Sequence, residues 1–249
     1  MVKNDSSDLL INKNPKSRFA EAIKTVRTNL AFSNIDKENK FILITSCEPS
    51  DGKSFISANL AVAYSQENKK VLLIDCDLRK GRQHRIFNVP NKSKGGYSTL
   101  ILRYREEGKR SSRFSDYVDE NFDFADYIIK TSIPNVDIIP SGPIPPNPTE
   151  LLASQNNQRL LKKLAEVYDT IILDCPPVIG MSDTSIMTKN SDVNLLVVSN
   201  KKTKVELINV AKRIFQTVNS EITGVILNKV NMKHSTYGSY YGGYYGDDK

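Results

Sequence analysis

The segment Cys47-Glu48-Pro49-Ser50-Asp51-Gly52-Lys53-Ser54 constrains this chain more than any other, because it joins an apolar run to a helix-forming one. Phe41 to Thr45 reads as a buried strand, and Ser54 to Glu67 has helical spacing. A strand that turns through Gly-Lys-Ser into a helix is the setting of a phosphate-binding loop. Backbone N–H groups of the turn and the positive end of the helix would cradle phosphate oxygens. Lys53 is placed to neutralise the β- and γ-phosphates of ATP, and the Ser54 hydroxyl to ligate Mg²⁺. Pro49, Ser50, Asp51, Gly52, Lys53, Ser54 and Phe55 form the candidate nucleotide cradle. The first glycine usual in such loops is absent, since Cys47 stands there. A bare Gly-Lys-Ser turn without nucleotide is the competing reading.

Five further apolar runs, at Val71 to Asp75, Val136 to Ile139, Thr170 to Asp174, Val193 to Ser199 and Gly224 to Asn228, read as buried strands. Helical spacing separates them, at Thr149 to Val167 and Lys204 to Val218. Alternating strands and helices imply an α/β fold, a P-loop NTPase with a mostly parallel sheet and helices on both faces. An amphipathic helix at about Ser17 to Phe32 precedes the first strand and is expected outside the sheet. Leu102 to Lys130 is charged and weakly periodic, which marks a surface insertion. Residues 1–232 thus read as one domain, and 39% hydrophobic content is enough for its core. Residues 233–249 hold four glycines among the tyrosines and read as a flexible tail.

No apolar run is long enough to cross a bilayer. Met1 to Leu10 mixes Lys3 with Asp5 and Asp8, which is unlike a signal peptide, so a cytoplasmic location is expected. Cys47, Cys76 and Cys175 lack paired spacing, which argues for reduced thiols rather than disulfides or a metal site. A net charge of +7 permits attraction to anions, but the basic residues are scattered and the densest run is broken by Glu106 and Glu107. No nucleic-acid partner is expected.

Asp75 and Asp77 end one strand run two residues apart, so in extended chain both point to one side. Ligands of open α/β sheets gather at the carboxyl ends of strands, which would face both aspartates toward a triphosphate and its metal. Asp174 ends another run and is the candidate for Mg²⁺ through water. Each aspartate taken alone could equally be a cap or turn former. Together with the loop they read as one site, with Lys53, Asp75 and Asp77 catalytic and Ser54, Asp77 and Asp174 around the metal. A tyrosine hydroxyl has a pKa of about 10, so transfer to it benefits from a carboxylate that accepts the proton. Asp77 is the candidate base. Arg79 either binds phosphate oxygens or starts a helix at the surface.

With these residues, the chain resembles the bacterial tyrosine kinases of capsular and exopolysaccharide assembly, in their separate cytoplasmic form. The resemblance runs through Glu21 to Leu30, the loop, the Asp75-Cys76-Asp77 segment continuing to His84 and Phe87, the proline stretch Ser141 to Leu152, and the tyrosine tail. It implies ATP and Mg²⁺, the Walker A roles for Lys53 and Ser54, and the Walker B role for Asp174. It also sets Asn228 toward the adenine and gives the proline stretch a structural role. A Glu-x-x-Arg-x-x-Arg helix in the family supports ring-like self-assembly, here Glu21, Lys24 and Arg27. Lys24 replaces the middle arginine, and lysine lacks the bidentate reach of a guanidinium. Ser50 stands where many members have glycine, and Gly81 where many have proline. The resemblance further implies a transmembrane activator of the polysaccharide co-polymerase type, whose cytoplasmic tail recruits the kinase to the inner face of the membrane, and a cognate tyrosine phosphatase.

Tyr237, Tyr240, Tyr241, Tyr244 and Tyr245 are five of the eleven tyrosines. They read as autophosphorylation sites carried to a neighbouring subunit by a glycine-rich tether, or else as a sticky aromatic terminus. A positioning ATPase of the plasmid- and septum-placing kind shares the expected sheet and loop. Those proteins carry a signature lysine five places before the loop lysine, where this chain has Glu48. A nucleotide-regulated adaptor without transfer activity is a third reading.

Overall fold

The computed structural model describes residues 9–33, 39–91, 95–104 and 124–230. Its centre is a sheet of seven strands: β1 (Phe41–Ser46), β2 (Val71–Asp75), β3 (Ile129–Lys130), β4 (Val136–Ile139), β5 (Thr170–Asp174), β6 (Val193–Ser199) and β7 (Gly224–Asn228). Their spatial order is β3-β4-β2-β5-β1-β6-β7. Every neighbouring pair is parallel except the antiparallel pair of β3 with β4. The expected α/β fold is therefore borne out.

Alternate strand residues serve opposite faces, as the pleat requires. Ile42, Ile44, Val71 and Leu73 pack with α1 (Leu10–Lys13), α2 (Arg18–Ser33) and α3 (Lys53–Ser65). Leu43, Leu72 and Ile74 pack on the other face with α5 (Gly96–Arg103) and α7 (Gln155–Ala165). The same face carries α9 (Val205–Thr217) near β6, through Ala211 and Phe215. Three shorter helices complete the layers: α4 (Gln83–Ile86), α6 (Pro148–Ala153) and α8 (Asp183–Met187). α3 is covered by the sheet below and α2 above, so its residues from Ile56 to Ser65 are all buried. Each large aliphatic side chain removed from water there contributes roughly 1.5–3 kcal/mol.

Three expectations need correction. The single helix expected from Thr149 to Val167 is two helices, because Ser154 takes an extended backbone and its Oγ accepts from the Asn157 N–H at 3.2 Å, capping α7. β7 is not a buried strand but an edge, with Val225 and Leu227 54% and 56% exposed. The stretch from Leu102 to Lys130 is not wholly an insertion. Its first residues end α5, and Phe124–Tyr127 forms a 3-10 turn leading into β3. Residues 105–123 lie outside the described residues. Arg27, a candidate for self-assembly, also has partners within the subunit: it donates to the Ala63 carbonyl at 2.6 Å and pairs with Glu67 at 2.9 Å. Glu21 and Lys24 form an exposed ion pair at 2.8 Å. No described helix is long and apolar enough to cross a membrane.

Candidate active site

The strand order sets the site. β5 lies between β1 and β2, so the phosphate loop, Asp174 and Asp75 emerge side by side at the carboxyl edge. Asp75 and Asp174 are direct register partners, and neighbouring strands run only about 4.8 Å apart. Both are fully buried, and Asp77 is nearly so.

Lys53 reaches across from α3 to meet them. Its Nζ lies 3.3 Å from Asp77 Oδ2, 3.7 Å from Asp174 Oδ1 and 3.3 Å from Ser54 Oγ. Burial works to depress the Lys53 pKa, yet the charges of Asp174, Asp77 and Asp75 outweigh it and hold the ammonium above its ordinary value. Asp75 shows the reverse. Burial first, then the Asp174 charge, push its carboxyl up to about 8, against a bond from the Gln83 N–H and the attraction of Lys53. Asp77 and Asp174 thus share one ammonium beside the raised Asp75 carboxyl, an arrangement that favours an added cation.

The loop is braced from outside. Lys229 Nζ donates to the Ser50 carbonyl at 2.7 Å, Asn228 Nδ2 to the Asp51 carbonyl at 2.8 Å, and Lys202 Nζ to the Pro49 carbonyl at 3.3 Å. A trans peptide points its C=O and N–H in opposite directions, so carbonyls held from outside leave the N–H groups to the concave side. Gly52 has φ +106° at the cap of α3, and Asn228 Nδ2 fills the space a Cβ would need. Ser50, with φ +69°, holds the left-handed backbone that glycine adopts freely.

Some candidates have other contacts. Pro49 has no N–H to offer a phosphate. The Asp51 carboxylate accepts from the Glu48 N–H at 3.0 Å and so closes the loop on itself. The Phe55 ring packs on Phe19 with centroids 5.0 Å apart, leaving only its backbone to the cradle. Asn228 grips the loop through its side-chain amide. Arg79 pairs with the fully buried Asp183 at 3.2 Å and meets Thr149 at 3.4 Å, so it leans toward the proline stretch. The five tail tyrosines lie outside the described residues. Tyr97 is fully buried and donates to Asn157 Oδ1.

Sequence reasoning missed several groups. Gln83 donates from Nε2 to Asp174 Oδ2 at 2.7 Å and to the Ser54 carbonyl at 3.1 Å. Ser57 Oγ donates to the Lys53 carbonyl at 2.9 Å and lies 3.4 Å from Asp174 Oδ1. Lys202 and Lys229 follow the carboxyl ends of β6 and β7, where ligands gather, and that position was the available signal. Burial, followed by the charges of Asp51 and Glu48, raises the Cys47 thiol to about 11. Burial and the neighbouring Cys175 raise Cys76 well above the usual thiol range. Such thiols stay protonated and unreactive.

The donor set suits Mg²⁺. Carboxylates and a serine hydroxyl are hard oxygen donors. Among the described residues no three His, Cys, Asp or Glu side chains stand close enough to cage an ion. Mg²⁺ takes one or two carboxylates and otherwise keeps water and phosphate oxygens. Fold and site together define a P-loop nucleotide-binding protein. The AAA domain family matches residues 39–224. Tyrosine-protein kinase YwqD of Bacillus subtilis (strain 168) is 38% identical over 227 residues, covering 91% of this chain and 88% of that protein. The crystal structure of the chimerical protein CapA2B2 superposes with a TM-score of 0.78 at 35% identity, covering 90% of both chains. The chain belongs to the bacterial tyrosine-protein kinase family. The cell division ATPase MinD of Pyrococcus furiosus, at 20% identity and a TM-score of 0.58 over 76% of this chain and 71% of its own, shares the fold alone.

Proposed function

We propose that this chain is an ATP-dependent protein-tyrosine kinase that phosphorylates its own C-terminal tyrosine cluster between subunits and regulates capsular or exopolysaccharide synthesis and export. One observation carries the reading: Lys53 Nζ converges on Asp77 and Asp174 at 3.3 and 3.7 Å, which joins the phosphate loop to both acidic strand ends. Kinship with named tyrosine-protein kinases supports it over a positioning ATPase, whose likeness is one of fold.

In this mechanism the loop N–H groups and Lys53 would hold the triphosphate, and Ser54 and Asp174 would hold its Mg²⁺. When bound, Mg²⁺ supplies neutralisation of the charge that builds on the phosphoryl oxygens during transfer. Asp77, at the mouth of the pocket, accepts the proton of the incoming tyrosine hydroxyl. Asp75 lies deeper and sets the field around Lys53. Arg79, paired with Asp183 but 43% exposed in its side chain, is within reach of phosphate or acceptor from solvent. The acceptors are Tyr237, Tyr240, Tyr241, Tyr244 and Tyr245, reaching a second subunit within a ring-like homo-oligomer. The domain spans residues 1–232 and the tail residues 233–249. A transmembrane activator of the polysaccharide co-polymerase type presents its cytoplasmic tail, which draws the kinase to the inner face of the membrane, and a cognate phosphatase resets the cycle.

The test is incubation of pure protein with labelled ATP and Mg²⁺, alone and with the activator's cytoplasmic peptide, followed by mapping of phosphotyrosine. Label confined to the tail, and abolished when its five tyrosines become phenylalanine, is expected. Lys53→Ala should weaken nucleotide binding and transfer together. ATP hydrolysis without any phosphotyrosine under both conditions would rule the kinase reading out.

A further inference from the structure

Gln83 opens α4 as a fully buried amide amid the acidic strand ends. Its backbone N–H donates to Asp75 Oδ2 at 3.0 Å, and its Nε2 donates to Asp174 Oδ2 at 2.7 Å and to the Ser54 carbonyl at 3.1 Å. Those bonds decide which way the amide faces. Turned over, it would set an oxygen against a carboxylate and a carbonyl. Oε1 is therefore the remaining atom, and it is buried with no hydrogen-bond partner.

A buried acceptor left bare is costly, and native proteins keep few of them. The other donors of the site already have acceptors. Lys53 Nζ is shared among Asp77, Asp174 and Ser54, Ser57 Oγ serves the Lys53 carbonyl, and the Asp77 N–H serves Asp75. By ordinary amide dimensions Oε1 lies only about 2.2 Å from Nε2, and so beside the Asp174 carboxylate that Nε2 holds.

Resting on the reading of Ser54 and Asp174 as the metal end of the pocket, we infer that Gln83 is a positioning residue for Mg²⁺. Nε2 fixes the Asp174 carboxylate and the Ser54 peptide, and Oε1 accepts a hydrogen bond from a water in the hydration shell of the ion. Mg²⁺ gives up its waters reluctantly, so protein-bound Mg²⁺ keeps several of them as donors. Partners that grip the ligands from behind tune the affinity of a metal site. Gln83 follows Asp75 by eight residues in a stretch without periodicity, so only the folded chain brings it there.

The test is calorimetric titration of wild type and Gln83→Met with ADP, once in Mg²⁺ and once in EDTA. Methionine keeps the length and bulk of the side chain and removes both polar atoms. Wild type should bind ADP more tightly in Mg²⁺. In Gln83→Met that gain should shrink by about 10-fold or more, with the EDTA affinity held within about twofold. An undiminished gain, or an equal loss in Mg²⁺ and in EDTA, would overturn the inference. A wild type indifferent to Mg²⁺ would instead remove the reading beneath it. If far-UV circular dichroism shows Gln83→Met unfolded, Gln83→Leu is titrated in its place and the same two outcomes decide.

Discussion

At the scale of residues, the site is a crowd of negative charge held by one ammonium. Asp75 carries most of the strain, because its carboxyl is raised from 3.8 to about 8 by burial and by Asp174. The sign follows from linkage. Between these values the folded state binds a proton that the unfolded state has released, so this group's stabilisation is complete below about pH 4 and lost as pH rises through about 8. Thermal melts of the nucleotide-free protein in EDTA should show a downward trend in Tm between pH 6 and 8.5, and Asp75→Asn should flatten it. Equal slopes in the two proteins would contradict this account of Asp75. Lys53, Ser54, Asp75, Asp77 and Asp174 stand out in the sequence because strand ends and a Gly-Lys-Ser turn announce themselves locally. Gln83 and Asp183 do not, since a lone amide and a lone helix-start aspartate acquire meaning only through partners 91 and 104 residues away.

At the scale of elements, α2 and α3 form a joint that sequence alone did not show. The glutamate, lysine and arginine spaced along α2 suggest one assembly face, and Arg27 also binds the Ala63 carbonyl in the last turn of α3. A cation at that end also meets the negative pole of the helix. Arg27→Ala should therefore destabilise the isolated subunit by about 1.5–3 kcal/mol, measured by urea denaturation at a concentration where no oligomer forms. Unchanged stability would leave assembly as the sole role of Arg27. The six parallel strands were legible because each is a short apolar run. β3 was not, since two residues carry no period, and the break at Ser154 was hidden because both flanking helices share the same spacing. The exposed side chains of β7 escaped notice because an edge strand rich in Val and Leu reads like a buried one.

At the scale of the whole molecule, the proposed tail phosphorylation and the proposed assembly are coupled through charge. Phosphate on five tail tyrosines adds roughly −7.5 to −10 at neutral pH, enough to cancel the formal +7 of the chain. Light scattering should show the assembled form before phosphorylation and separated subunits after it, with the effect reduced at high salt. The same size before and after would break the link. In the proposed mechanism Asp77 serves transfer rather than grip. Measured side by side on Asp77→Asn, affinity for a Mg²⁺-bound non-hydrolysable ATP analogue should stay within about threefold of wild type while tyrosine transfer falls about 100-fold or more. Transfer at the wild-type rate, with the analogue equally well bound, would contradict it.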